Sequence, residues 1–248
     1  MSSEKLSNID EKRRELLVEL LSIGAFASTA ALLPANAHAG LFGNVPKKLP
    51  AGKSIYKIKG EVFVNSKTAN QDTSISANDT VKTGKNSQVI FVTGTDAFIL
   101  HENSELTLSG SGILLYGLRL ATGRLLSVFG RRSKKASTLM ARTTTATIGI
   151  RGTGVYLESE PNQSYVCTCY GEVELNATAD KNSRESITSQ HHDAPRYIAA
   201  TGEKGKLITP APMQNHTDLE LMLIEELVGR TPPFSVSNSG YSTPKRDY

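Results

Sequence analysis

TTTATIGIRGTGVYLESEPNQSYVCTCYGEVEL, residues 143–175, contains two runs of β-forming side chains separated by a turn signal. Thr, Ile, Val and Tyr favour extended backbone, whereas Pro and Asn favour turns. The stretch also contains both cysteines of the chain, Cys167 and Cys169. It therefore predicts two strands joined by a turn, and the second strand carries all the thiols of the protein.

The same pattern extends toward the N-terminus. Short runs of β-branched and aliphatic residues recur from Ile55 onward, and Gly, Asn, Asp or Ser bounds each run. We predict strands at 55–58, 61–65, 80–83, 88–92, 97–100, 105–108, 113–116, 118–121, 124–129, 143–150, 154–157, 164–170 and 172–175. Many short strands separated by turns are typical of an all-β sandwich, barrel or short solenoid.

One helix is predicted near the C-terminus, at residues 218–228. Thr217 and Glu220 have the spacing of a capping box, and Gly229 follows the last apolar residue. Leucine, methionine and isoleucine recur at helical spacing between these signals. We expect the apolar face of this helix to pack on the β core.

The N-terminal residues have the composition of an export signal. Arg13-Arg14 precede the moderately apolar run 20–33, and Ala37-His38-Ala39 has the small-x-small pattern of a cleavage site. The paired arginines favour a twin-arginine-like signal over residues 1–39, with general secretion as the alternative. An uncleaved amphipathic helix is the other interpretation. An export signal predicts a periplasmic protein.

Composition divides the remaining chain into four parts. We assign 40–52 as a linker, 53–176 as the β domain, 177–234 as a C-terminal extension with the helix, and 235–248 as a disordered tail. The formal net charge of the chain is +4, too small for the concentrated basic face of a nucleic-acid reader. No interior apolar run reaches the length of a membrane-spanning helix.

Short motifs spread over residues 60–173 resemble the FecR domain family. In order along the chain, they are Gly60-x-Val62, Asp79–Gly84, Asn103–Leu106, Leu120-x-x-Gly123, Thr145–Thr153 and Gly171-x-Val173. In regulators of that family the domain lies in the periplasm and passes a signal from an outer-membrane transporter to a cytoplasmic anti-sigma segment. The resemblance implies the module and the compartment. It does not imply sigma-factor regulation, because the N-terminal segment is too short for a sigma-binding domain.

Catalytic signatures are missing from the sequence. Neither Gly-x-Ser-x-Gly, His-Glu-x-x-His nor a phosphate loop occurs. A hydrolase or a thiol-disulfide exchanger is therefore the weakest hypothesis. We predict an exported, non-enzymatic FecR-like binding or signalling module whose partner is an envelope protein or a cell-wall component.

The cysteine pair suggests a second function. Cys167 and Cys169 are two positions apart on a predicted strand, so both thiols point to the same face. Their Cα atoms are expected about 6.6 Å apart, at the upper edge of the disulfide range. Neighbouring thiolates on one face are instead good ligands for a soft or borderline metal.

Three histidines follow the cysteines. His216 directly precedes the helix cap, where the positive end of the helix dipole favours a neutral imidazole. Two thiolates and two imidazoles would make a closed tetrahedral site for Zn, or a site for Cu or Fe. The alternative hypothesis is therefore a metal or redox protein that uses Cys167, Cys169, His191, His192 and His216. It requires the later chain to fold back onto the cysteines; otherwise all five residues have plain structural or surface roles.

Overall fold

The computed structural model describes residues 48–132 and 138–234. The predicted export signal, the predicted tail and most of the predicted linker lie outside these residues. The described part contains fourteen strands and one α-helix. For these residues, the prediction of an all-β fold with one C-terminal helix is confirmed.

The strands are numbered in chain order and range from two to fifteen residues in length. They are β1 (Ile55–Lys59), β2 (Val62–Val64), β3 (Lys67–Thr68), β4 (Thr80–Thr83), β5 (Gln88–Thr93), β6 (Asp96–Leu100), β7 (Glu105–Ser111), β8 (Leu114–Val128), β9 (Leu139–Arg142), β10 (Ala146–Ser159), β11 (Gln163–Ala177), β12 (Arg184–Ser189), β13 (Arg196–Ala199) and β14 (Ile208–Pro210). The helix, α1, is Asp218–Leu227 and ends one residue before the predicted boundary.

All fourteen strands belong to one sheet, which is not closed into a barrel. The main path follows the order β14-β13-β11-β10-β9-β8-β7-β4-β2-β3, and a branch of β1, β5 and β6 joins it at β8. The pairings are antiparallel, except that β8 and β9 run parallel. The long strands β8, β10 and β11 lie side by side and carry the site described below.

These three strands are longer than the sequence pattern predicts. Seven predicted short strands merge into β8, β10 and β11. The pairing of β10 with β11 shifts register between Arg151 and Gly154, where Gly152 and the facing Gly171 have positive φ. A β-bulge bends a strand without ending it. The glycines that we interpreted as strand ends are therefore bulges.

The main hydrophobic core lies on one face of the sheet. Along β10, for example, Ile148, Ile150, Val155 and Leu157 are buried in it. It also contains aliphatic and aromatic side chains from β1 to β13. Fully burying one such side chain contributes roughly 1.5–3 kcal/mol, so this core is the main source of stability.

A second buried layer lies on the opposite face. Direct partners across β5, β6, β8, β10 and β11 are Ile90, Ile99, Leu126, Tyr156 and Cys167. Because directly opposite residues share a face, these side chains form one cross-strand row. Helix α1 packs on β6 and β8, and His216, two residues before it, stacks on Tyr156. The helix therefore covers the row, and Cys167 is at its end.

Both ends of α1 are held by polar contacts. The Thr217 hydroxyl accepts from the Glu220 N–H, and the Glu220 carboxylate accepts from the Thr217 N–H at 3.0 Å, so the predicted capping box forms. Near the other end, Glu225 accepts hydrogen bonds from the Tyr170 hydroxyl and the Arg230 guanidinium. Within the described ranges no helix is long and apolar enough to span a bilayer.

The C-terminal extension contributes three strands before it reaches the helix. β12 pairs with residues 171–176 of β11, and β13 pairs with residues 163–166 of the same strand. β14 then pairs with β13. The chain that follows β11 therefore returns to β11 twice.

Candidate metal centre

Cys167 and Cys169 lie on β11 between the segments that pair with β12 and β13. On this edge residues 167–170 have no strand partner, and the loop that joins β12 to β13 lies beside them. Both thiols are buried, and neither cysteine is in a disulfide. The gap in strand pairing brings loop residues next to the two sulfurs.

The β12–β13 loop places His192 against the cysteines. Its N–H donates to the carbonyl of Cys169 at 3.0 Å. Its φ is 55°, a left-handed conformation that few non-glycine residues adopt. Asp193 Oδ2 accepts from the N–H groups of Gln190 (2.6 Å) and His191 (3.2 Å), which fixes the turn. The loop therefore holds the His192 backbone in a fixed position beside Cys169.

His216 reaches the same point from the segment that precedes α1. Asn215 has a positive φ of 60° and donates to Glu158 Oε1 at 2.7 Å. The His216 ring stacks on Tyr156 with 4.3 Å between ring centroids. Its Nδ1 lies 2.6 Å from the carbonyl oxygen of Gln214. These contacts set both the position and the rotation of the ring.

Four side chains converge in this way: Cys167, Cys169, His192 and His216, called the Cys2His2 cluster below. Their ligand atoms all lie within 4.8 Å of one another. His192 Nδ1 is 3.3 Å from Cys167 Sγ and 3.1 Å from His216 Nε2. Bond lengths of zinc to sulfur and nitrogen give tetrahedral edges of about 3.4–3.8 Å. The cluster therefore has nearly the spacing that one tetrahedral ion requires.

Hydrogen bonds on the outer side of the two rings leave lone pairs directed at the centre. The Asp218 carboxylate can only accept, so His192 Nε2, 3.0 Å away, carries the proton of that contact. The Gln214 carbonyl can only accept, so His216 Nδ1 carries a proton too. In neutral rings His192 Nδ1 and His216 Nε2 are then both unprotonated. Two lone pairs that face each other beside two sulfurs need a shared cation, either a proton or a metal ion.

Asp218 forms a second layer behind His192. Its two carboxylate oxygens also lie 3.0 and 2.9 Å from His191 Nε2. Burial opposes ionisation of Asp218, but contacts with His192 and His191 hold its pKa below the ordinary value. A carboxylate behind a ligating imidazole fixes the ring and raises its basicity, a recurrent feature of zinc sites.

The cluster shifts the pKa values of its members in opposite directions. The Cys169 thiol and the two imidazoles hold the pKa of Cys167 well below its ordinary value, although burial opposes them. Burial raises the pKa of Cys169, and the Cys167 sulfur adds to the effect. Burial disfavours the charged form of His192, but Asp218 and Cys167 outweigh it and raise its pKa to about 9. Both shifts favour the charged forms of Cys167 and His192, whose Sγ and Nδ1 atoms lie 3.3 Å apart.

The structure brings together four of the five residues named in the metal hypothesis. His191 stays outside the cluster, because its Nε2 faces Asp218. Its ring stacks on Phe234, with 4.5 Å between centroids. The fold-back that the hypothesis required is made by the β12–β13 loop and by the segment before α1.

Sequence reasoning missed Asp218 and Tyr156. Asp218 lies inside the capping box, where an acidic residue usually does no more than complement the helix dipole. The available signal was that Asp218 follows the predicted ligand His216 by two residues, with the helix cap Thr217 between them. Tyr156 carries no local signal, because its contact with His216 depends on the register of β10 and on the docking of α1.

Comparisons with known proteins do not assign a family. No protein-family model and no curated protein matches the chain. Two solved structures, each a "putative anti-sigma factor" from Parabacteroides distasonis, resemble part of it. One is 10% identical, with a TM-score of 0.43, and the match covers 53% of this chain and 58% of that one. The other is 14% identical, with a TM-score of 0.40, and covers 56% and 59%. The chain thus spans less than two thirds of either structure, and likeness at this level carries no argument about function.

Proposed function

We propose that this chain is a non-enzymatic metal-binding β module whose Cys2His2 cluster holds one divalent ion, with zinc as the best fit. The observation that carries the proposal is the convergence of four buried ligand atoms within 4.8 Å. The hydrogen bonds of His192 and His216 support it, because they direct an unprotonated nitrogen of each neutral ring toward the two sulfurs.

The charge of the cluster favours a divalent ion. Two thiolates and two neutral imidazoles carry two negative charges, so Zn²⁺ leaves the buried cluster neutral, whereas Cu⁺ or Fe³⁺ leaves a net charge. Burying an uncompensated charge costs several kcal/mol. Zinc also accepts mixed sulfur and nitrogen ligands in tetrahedral geometry. Copper and iron remain the alternatives that the ligand types allow.

The arrangement supports a structural or regulatory site. All four positions of a tetrahedron are filled by protein ligands, whereas a catalytic zinc keeps one position open for water or substrate. A bound ion would join three parts of the fold: β11, the β12–β13 loop and the segment before α1. Cys167 and Cys169 would act as ligands rather than as nucleophiles.

Metal analysis of the purified full-length protein tests the proposal. We expect about one equivalent of zinc per chain, as for closed structural sites. The double variant Cys167→Ser/Cys169→Ser and the variant His216→Gln should lose nearly all of it. His101→Gln is the matched control, because His101 is buried but lies outside the cluster. A wild-type protein that binds no zinc, copper or iron, even after incubation with each metal, would contradict the proposal.

A second candidate function is partner binding in the cell envelope. Ile113, Leu114 and Tyr116 are 67, 45 and 49% exposed at the tip of the β7–β8 hairpin. Exposed apolar patches are typical of contact sites for other proteins. We propose that this tip contacts an envelope protein after export to the periplasm, the compartment that the FecR resemblance implies.

Cross-linking in cells tests this second function. A photoreactive residue at position 114 should capture a recurrent partner, and the double variant Leu114→Ser/Tyr116→Ser should not bind that partner. Ser111→Ala, on the same hairpin, is the control and should bind normally. Export is checked separately by N-terminal sequencing, because a mature protein that starts at Met1 would contradict cleavage of the predicted signal. Cross-linking that repeatedly captures nothing would contradict the contact.

A further inference from the structure

The ligands of the Cys2His2 cluster are all buried, so an ion from solvent needs a route to them. Cys167 and Cys169 have no exposed surface, and His216 is almost as deeply buried. The side chain of His191, in contrast, is 31% exposed to solvent. His191 is therefore the neighbouring histidine that solvent reaches most readily.

His191, Asp218 and the outer side of His192 form a second group of metal-binding atoms, called the outer group below. The ligand atoms of these three residues also lie within 4.8 Å of one another. Imidazole nitrogen and carboxylate oxygen are both zinc ligands. Three protein ligands leave positions for water, so an ion held there would exchange more readily than one held by two thiolates.

His192 belongs to both groups. Its Nδ1 faces Cys167 Sγ at 3.3 Å, and its Nε2 faces Asp218 Oδ1 at 3.0 Å. The two positions are thus separated by one imidazole ring. Binding ions on both nitrogens at once would require the ring to lose both protons. The two positions are therefore suited to occupation in turn rather than together.

We propose that the outer group is the entry position of the cluster: an ion from solvent is held first by His191, Asp218 and His192 Nε2, with the ring proton of His192 on Nδ1, and then passes beside His192 to the two cysteines. This inference rests on the proposed function, because it concerns how the same site is loaded. The negative charge of Asp218 attracts a cation at the edge of the buried region. After the transfer, Asp218 accepts the His192 Nε2 hydrogen bond again and supports that ring as a ligand.

Stopped-flow mixing of the metal-free full-length protein with Co²⁺ tests the entry position. Thiolate-to-cobalt charge-transfer absorption develops only when the ion reaches the cysteines. His191→Gln keeps an amide that can donate to Asp218 but removes a strong ligand. We expect the rate constant for this absorption to fall by about tenfold, within the range by which local charge and binding groups change association rates. The dissociation constant at equilibrium should be nearly unchanged.

Gln190→Ala is the matched control, because Gln190 is exposed on the same loop and contributes only its backbone N–H to the turn. It should load at the wild-type rate. If the wild-type protein gives no thiolate absorption, the metal site itself is wrong. If the absorption forms and His191→Gln does not slow it, the site stands and the entry position is wrong. If rate and affinity fall in parallel, His191 is a resident ligand or a structural support, which also overturns the proposal.

Discussion

At the scale of single residues, Asp218 contacts His192 Nε2 at 3.0 Å and so lies directly behind a proposed metal ligand. Replacement by asparagine keeps the size of the side chain but removes the charge behind the ligating ring. We expect the zinc affinity of Asp218→Asn to fall by about 10–100-fold, the usual effect of losing an outer partner of a ligand. Competition against a chromophoric chelator measures it. Glu226→Gln, on the same helix but outside the cluster, should bind zinc like the wild type, and equal affinity for both variants would contradict the role of Asp218.

Asp180 gives a pH-dependent prediction away from the metal site. Hydrogen bonds from the N–H groups of Gly205 and Asn182 and from the Ser183 hydroxyl lower its pKa to about 2. Since the folded pKa is below the unfolded value of about 3.9, the stabilisation is complete above that value and is lost as pH falls through about 2. Asp180→Asn should therefore melt at a lower temperature than the wild type at neutral pH.

The difference in melting temperature between wild type and Asp180→Asn should shrink between pH 4 and pH 2. Thermal unfolding followed by circular dichroism across this range measures it. Glu203→Gln is the control, because Glu203 pairs with Lys206 on the exposed surface of the β13–β14 loop, which also contains Gly205. A difference that stays constant with pH would show that Asp180 contributes nothing through its charge.

At the scale of elements, the bulge between β10 and β11 leaves no room for a side chain at Gly154. A Cβ added to Gly154 would lie 2.5 Å from the Tyr170 ring, whose hydroxyl donates to Glu225 of α1. Gly154→Ala should therefore destabilise the protein by about 1–3 kcal/mol, the usual cost of overpacking. Urea unfolding measures it. Gly149→Ala in the same strand is the control, because its new Cβ would meet a Thr138 methyl group at 3.3 Å that can shift; equal losses would contradict the steric argument.

Local signals were sufficient for much of this architecture. Runs of β-branched and aliphatic residues bounded by turn residues predicted nine of the fourteen described strands, but not β3, β9, β12, β13 or β14. The spacing of Thr217 and Glu220 predicted the start of α1. Strand lengths were underestimated, because a glycine at a bulge and a glycine at a strand end look alike in sequence. Gly152 and Gly171 are examples. The all-β class with one helix was therefore predictable, whereas the continuity of the long strands was not.

The candidate site was predictable only in part. Cys167 and Cys169 were identified because a two-residue spacing on a strand places both side chains on one face. The sequence did not indicate which of His191 and His192 joins the Cys2His2 cluster. That choice depends on where β12 ends and β13 begins along β11, which is a long-range pairing. The role of Asp218 likewise depends on the docking of α1.

At the scale of the whole molecule, removing the metal should weaken the protein without unfolding it. The main core lies on the face of the sheet opposite the cluster and does not depend on the ion. Zinc at a thousand times its dissociation constant adds about 4 kcal/mol to stability. For a chain of this size that amounts to about 8–16 °C in melting temperature. We expect chelation to lower the melting temperature by this amount and to leave the β-sheet circular dichroism spectrum unchanged.

The matched control is Cys167→Ser/Cys169→Ser, whose melting temperature should not respond to chelator. Complete unfolding on chelation would show that the ion is required for the fold itself. No change in the wild type would show that the cluster does not contribute to stability. Because the cluster takes its thiols from the β domain and its imidazoles from the C-terminal extension, the ion would couple these two parts.

The position of Thr168 has a consequence for assembly. It lies between the two cysteines and is fully buried, opposite Val155 of the main core. A slip of β11 by one residue would reverse its two faces. Thr168 would then lie beside His192 and His216, and both thiols would point into the aliphatic core. If the cluster binds metal as proposed, only correctly aligned strands can bind it, so metal binding would favour the native register of β10 and β11.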